Sequence, residues 1–292
     1  MFLDPGDHIL IMDLDMSPLF FEEKRQISQI GINTLYYHGA IRWDFMQPGE
    51  FSPINFSRLD QYVMDAERLG MKVLIPFFYQ TPPWKDEDWY YTRERYGIPN
   101  YCNPQVGFEI DEFAKQIISR YDPKVAQVIY SIPACGEFPI HFDPISPMLP
   151  FPTSVLVNFV IARQKVLAAQ SGEVWTSFHC YTRPVWWHDL YSALRREFPD
   201  CNHYGIQFTY YIHDSRIIYD WIADTSARYG IKYFGGSEYC QGLRKHTPLC
   251  IAQKQQGFIT APIHPYQTHN RLEDWMLDEL AWANEQLRGA NA

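Results

Sequence analysis

No two of the six cysteines, Cys102, Cys135, Cys180, Cys201, Cys240 and Cys250, are spaced Cys-x-x-Cys. That spacing serves zinc ribbons and dithiol redox centres, so neither is expected. Cys135, Cys180 and Cys240 fall near predicted strand ends and read as small buried hydrophobes. No metal or other cofactor is expected. No run of Lys or Arg is long enough to track a phosphate backbone, and the net charge is −9. Nucleic acid is therefore not expected as a partner. No apolar stretch approaches the ~20 residues that span a bilayer, so no membrane partner is expected either. The segment Met1-Phe-Leu-Asp-Pro-Gly-Asp7 lacks the basic start and apolar centre of a signal peptide. The expected location is cytoplasmic, with a processed secreted form as the alternative. No linker, repeat or low-complexity tract divides the chain, so residues 1–292 read as one domain. The oligomeric state is left open.

What the chain does have is aromatic side chains: 20 Tyr, 19 Phe and 9 Trp make up 16% of its residues. One explanation is a rich core, which 46% apolar residues would support. The other is a carbohydrate surface, because sugar rings pack their C–H faces on aromatic planes. A polar, uncharged substrate also suits an acidic chain with few basic patches.

Hydrophobic patterning gives eight strands alternating with helices. The strands are expected at His8–Asp15, Ile32–His38, Met71–Tyr79, Val125–Tyr130, Glu173–His179, His203–Tyr210, Lys232–Gly236 and Gly257–Pro262. Ser17-Pro18 reads as a helix cap with Pro at the first helical position, and Gly31 as the stop. Leu59, Val63, Ala66 and Leu69 form the apolar face of a helix that Gly70 closes. Further helices are expected at about Gly107–Tyr121, Thr153–Gln170, Trp187–Phe198, His213–Tyr229 and Asn270–Leu287, with a short one near Leu249–Gln255. A long insert, Gln80–Gln105, carries Trp84 and Trp89 and is too aromatic for disorder. Strict alternation forces parallel pairing through right-handed crossovers, and eight units close into a (β/α)8 barrel of the α/β class. An open doubly wound sheet is the alternative. It would show a Gly-rich phosphate loop after the first strand, where this chain has Asp13-Leu-Asp-Met-Ser-Pro18.

In such barrels reactive groups gather where strands end. Those positions hold Asp13, Asp15, His38, Tyr79, Glu137, His179, Tyr210, Tyr211, Glu238 and His264. Two carboxylates stand out. Glu137 follows the fourth strand through Ser131-Ile-Pro-Ala-Cys-Gly136, and Glu238 follows the seventh through Tyr233-Phe-Gly-Gly-Ser237. A paired acid and base at two strand ends is what cleavage of a sugar linkage requires. Taken singly, a Glu after a strand is an ordinary solvated loop residue. Trp43, Trp84, Trp89, Trp186 and Trp187 are candidate stacking platforms, with at least one of the last two expected to be packing. Trp221, Trp275 and Trp282 fall in predicted helices and read as core.

Three stretches resemble clan A glycoside hydrolases, most nearly the family 42 β-galactosidase type. Ala40-Ile-Arg-Trp-Asp-Phe-Met-Gln-Pro-Gly-Glu-Phe-Ser52, then Phe56-Ser-Arg-Leu-Asp-Gln61 and Gly70-Met-Lys-Val73, resembles the segment after strand two. Glu137 falls where the clan has its acid/base, and Ser237-Glu238-Tyr239 where it has its nucleophile. The chain departs from the clan at Gly136, where Asn is usual, and at Ala261-Pro-Ile-His264, where a Trp is common. It also has Tyr37-His38 where an Arg is common, with Arg42 following later. Cys135-Gly136-Glu137 is in addition similar to the Ala-Gly-Glu of β-amylases.

The resemblance implies a retaining glycosidase acting by double displacement on an O-linked, β-configured oligo- or polysaccharide. Glu238 would attack the anomeric carbon. Glu137 would protonate the leaving oxygen and then activate water. Tyr210 or Tyr211 would keep Glu238 charged and aimed, and His38, His179 and His264 would bind sugar hydroxyls. Each of these Tyr and His residues has a plain structural reading beside that one. Three rival functions stay open: a glycan-binding barrel without turnover, an inverting β-amylase-like α-glucan hydrolase, and a metal-dependent hydrolase using Asp13, Asp15, His38, His179 and His264.

Overall fold

A computed structural model describes residues 2–14, 18–37, 43–77, 82–92, 98–131, 152–179, 186–208, 215–237, 240–263 and 271–291. Ten strands are described: β1 Ile9–Met12, β2 Thr34–Tyr36, β3 Lys72–Phe77, β4 Tyr90–Thr92, β5 Ile98–Pro99, β6 Ala126–Ser131, β7 Glu173–His179, β8 Asn202–Phe208, β9 Ile231–Ser237 and β10 Gly257–Thr260. Eight of them close into a barrel in the order β1-β10-β9-β8-β7-β6-β3-β2. Every pairing in the ring is parallel. The expected (β/α)8 barrel is what forms. All strand C-termini therefore point to one end of the ring.

The helices are α1 Phe21–Gln29, α2 Trp43–Met46, α3 Ser57–Arg68, α4 Pro104–Arg120, α5 Thr153–Ser171, α6 Trp186–Glu197, α7 Ser215–Tyr229, α8 Leu243–Ala252 and α9 Asp274–Asn291. Gly31 and Gly70 end α1 and α3 at φ +78° and +66°, a backbone region that only glycine enters freely. The start of α1 corrects the expectation of a helix beginning at Pro18. Glu23 takes over the capping by accepting the Phe20 N–H at 2.7 Å, so the helix begins at Phe21.

The period-two alternation of strands sorts apolar residues into two layers. Leu10, Met12, Leu14, Tyr36, Leu74, Ile129, Trp175, Tyr204, Ile206, Phe234, Ile259 and Ala261 fill the barrel interior. Their neighbours, among them Ile9, Ile11, Leu35, Val73, Val128, Val174 and Tyr233, face the helices in a larger outer layer. The long insert after β3 also has structure of its own. A 3-10 turn, Glu87–Trp89, leads into the antiparallel pair β4–β5, with Tyr90 opposite Pro99.

Candidate active site

The end of the barrel to which the strands run is distinguished by its lining. On three strands, inward residues step from large to small toward that end. Trp175 is followed two residues on by Ser177, Phe234 by Gly236, and Ile259 by Ala261. The β1–β2 side does not step down: Leu14 and Tyr36 keep it large. Tyr36 spans the difference. Its hydroxyl lies 2.7 Å from the Ser177 hydroxyl, and the two residues are 1% and 0% exposed. Burial, partly offset by this hydrogen bond, pushes the Tyr36 phenol above its ordinary range, so it stays neutral.

Of the expected site residues, Glu137, Glu238, His38, Tyr79, Tyr210, Tyr211 and His264 lie outside the described residues. What precedes them is described. β9 ends at Ser237, the residue before Glu238, and β6 ends at Ser131, six residues before Glu137. His179 closes β7, in register with Phe208 of β8.

The tryptophans correct one expectation. Trp43 is no stacking platform: it is 6% exposed and lies face to face with Phe113 of α4, centroids 4.6 Å apart. The Lys85 ammonium sits 5.1 Å from its ring centroid. Trp89, Trp186 and Trp187 are buried too, the last two stacked on each other at 4.5 Å. Trp84 is half-buried against the outer layer. Trp43 packs on Trp89 and on Phe113 of α4, and Trp186 and Trp187 cover each other at the start of α6.

Lys85 joins three segments. It pairs with Glu109 of α4 and lies 5.3 Å from the Trp89 ring centroid. Glu109 also accepts from Trp89 Nε1 at 3.2 Å and Gln105 Nε2 at 3.1 Å. Burial alone would raise the Glu109 pKa, but the Lys85, Gln105 and Trp89 donors outweigh it and hold the carboxyl below its usual range. The insert is thereby strapped to α2 and α4. Sequence reading gave no sign of this junction, because Lys85 and Trp89 meet Glu109 from 24 and 20 residues away.

Asp13 is also a correction. The inward set of the first strand is Leu10, Met12 and Leu14, so Asp13 turns outward, away from the barrel axis. Its Oδ1 accepts the Leu19 N–H at 2.9 Å. Its Oδ2 and the Tyr62 hydroxyl are buried beside each other, and the charged form of Asp13 is favoured by Tyr62. Burial raises the Asp13 pKa to about 6, against the lowering effects of the Leu19 N–H and Lys24. Asp13 thus serves the packing of α1 and α3, which removes one ligand from the metal-dependent reading.

No family model matches the chain, and no curated protein matches it. Solved structures do. A β-galactosidase from the psychrophilic Marinomonas ef1 superposes with a TM-score of 0.65 at 9% identity, over 95% of this chain and 59% of that one. The exo-β-1,4-mannosidase Op5Man5 from Opitutaceae bacterium strain TAV5 gives 0.65 at 12%, over 99% and 63%. Xylanase 10B from Thermotoga petrophila RKU-1, in complex with xylobiose, gives 0.55 at 13%, over 88% and 82%. At these identities the likeness is one of fold. The chain spans about three fifths of the length of the first two proteins.

Proposed function

We propose that this chain is a glycoside hydrolase domain that cleaves an O-glycosidic linkage of β configuration by double displacement. Glu238 is the nucleophile and Glu137 the acid/base. The observation that carries the reading is the step-down in the barrel lining. The inward residues at the strand-exit end of β7, β9 and β10, Ser177, Gly236 and Ala261, are small. Counting onward in twos along the inward series, Tyr36 is followed by His38, Ser177 by His179 and Gly236 by Glu238. On this reading two histidines and a carboxylate continue those inward series, the group types a sugar ring needs as hydroxyl partners and nucleophile. Structures of this fold that are glycosidases on galactosides, mannosides and xylan lend support from outside the chain.

In this mechanism Glu238 stays ionised and attacks the anomeric carbon, displacing the leaving oxygen as Glu137 protonates it. Glu137 then takes a proton from water, which releases the sugar from Glu238 with its configuration retained. Glu137 needs a pKa near neutrality and Glu238 a low one, so the pH profile is bell-shaped. Tyr210 or Tyr211 donates to Glu238. His38, His179, His264, Tyr79 and Trp84 contact the sugar.

The test is a panel of aryl β-glycosides. Glu238→Gln lowers kcat by at least ~10³-fold, and Glu137→Gln lowers it by ~10²–10⁴-fold on poor leaving groups. Wild-type protein that hydrolyses no glycoside, yet binds glycans equally well with Glu238→Gln, would establish the binding barrel instead. NMR of the first product decides between retention and the inverting β-amylase-like course.

A further inference from the structure

We propose that Tyr36 and Ser177 form a crossbar that positions the substrate-holding ends of β2 and β7. This rests on the glycosidase reading and names two residues it does not use. In the closed ring, β2 and β7 are separated by β3 and β6 on one side and by four strands on the other. Their interior hydroxyls nonetheless meet at 2.7 Å. The contact exists because the two sides of the lining differ in size: a Tyr on β2 reaches over the place where Ser177 leaves room.

Both residues sit at the exit end. Tyr36 is the last residue of β2, and Ser177 is two residues from the end of β7. Each stands two residues before a histidine, His38 and His179. The Tyr36 main chain is itself fixed, because its carbonyl accepts the Asp13 N–H at 2.9 Å. Neither hydroxyl is exposed to solvent, so neither is a catalytic residue. They act by holding the separation of two strand ends. Small misplacements of binding groups are costly to catalysis, while the ring closure itself does not need this bond.

The experiment uses the whole chain and an aryl β-glycoside that the wild type cleaves. The variants are Tyr36→Phe, Ser177→Ala and the double variant. Each single change deletes the Tyr36–Ser177 hydrogen bond from one side and lowers Tm. The double change removes both hydroxyls and restores most of Tm, since deleting both partners of a buried bond is close to neutral. KM follows a different course. It rises about three- to tenfold in both singles and stays raised in the double, with kcat within about twofold of wild type. A purely structural pair would return KM to the wild-type value along with Tm, and that result overturns the inference. So does an unchanged KM in all three variants. A wild type that cleaves no glycoside overturns the functional reading, and the crossbar's role with it. An active wild type with indifferent variants overturns the crossbar alone.

Discussion

The two ends of the barrel differ in what their described residues provide. At the end where the strands begin, charged and polar side chains tie segments together, although Thr34 Oγ1, Gln127 Oε1 and the Gln255 amide are buried there without a hydrogen-bond partner among the described residues. Glu173 accepts the Phe2 N–H at 3.0 Å and the Trp175 indole N–H at 3.1 Å. Lys72 meets Asp4 at 2.7 Å and Asp7 at 3.0 Å, and His8 donates from Nδ1 to the Gln256 carbonyl at 2.7 Å. Phe2 and Leu3 are buried among the interior residues at this end, and Trp175 stacks on Tyr204 at 4.4 Å. At the exit end the lining shrinks to Ser177, Gly236 and Ala261, and His179 and Glu238 come next in the chain. The first end is pinned by these contacts, and the second has the small lining on which the proposed site rests, the division of labour that parallel barrels allow.

Three changes test that division, beginning with the largest. Trp175→Ala empties the stacked aromatic layer and costs ~3–5 kcal/mol, read as a lowered denaturant midpoint, with KM unchanged in the protein that remains folded. A comparable loss of substrate affinity would erase the distinction between the ends.

Asp13→Asn tests the outer side of the exit end. The folded-state pKa of Asp13, about 6, lies above its ordinary 3.8. The stabilisation therefore belongs to the protonated form. It is complete below pH ~4 and is lost as pH rises through ~6. Asn retains an oxygen for the Leu19 N–H and has no charge to bury. The variant gains up to ~3 kcal/mol over wild type at pH 8 and little at pH 4. Equal stability differences at both pH values would show that Asp13 is not buried as a charge.

Ala261→Leu overpacks a fully buried position and has the smallest effect on folding, ~1–3 kcal/mol. It lowers kcat/KM about tenfold, or ~1.4 kcal/mol. An unaffected kcat/KM would mean that the small lining does not border the substrate.

Much of this fold was legible in the chain. Glu173–His179 was expected as a strand with the very bounds that β7 has, because its neighbours are clear punctuation: Gly172 closes α5 at φ +71°. The eighth helix was not legible. It was expected near Leu249–Gln255 and runs Leu243–Ala252, with Pro248 inside it. Proline there removes one backbone hydrogen bond and ordinarily breaks a helix. Packing overrides that preference: Leu243, His246, Thr247 and Cys250 are buried, and Arg244 reaches Glu279 of α9 at 2.9 Å. The tryptophans failed for a related reason. Their abundance was visible, but which way a ring faces depends on partners such as Phe113 and Glu109, which lie far along the chain.

By itself the sequence determined the alternation of strands and helices and the closed ring. Those follow from local periodicity and from the parallel pairing that alternation forces. Only the tertiary structure decided that Trp43 packs inside, that Asp13 turns outward, and that Tyr36 meets Ser177 across the barrel. Contacts between residues 141 positions apart are set by how a whole ring of side chains fills a common volume, and no local pattern encodes that.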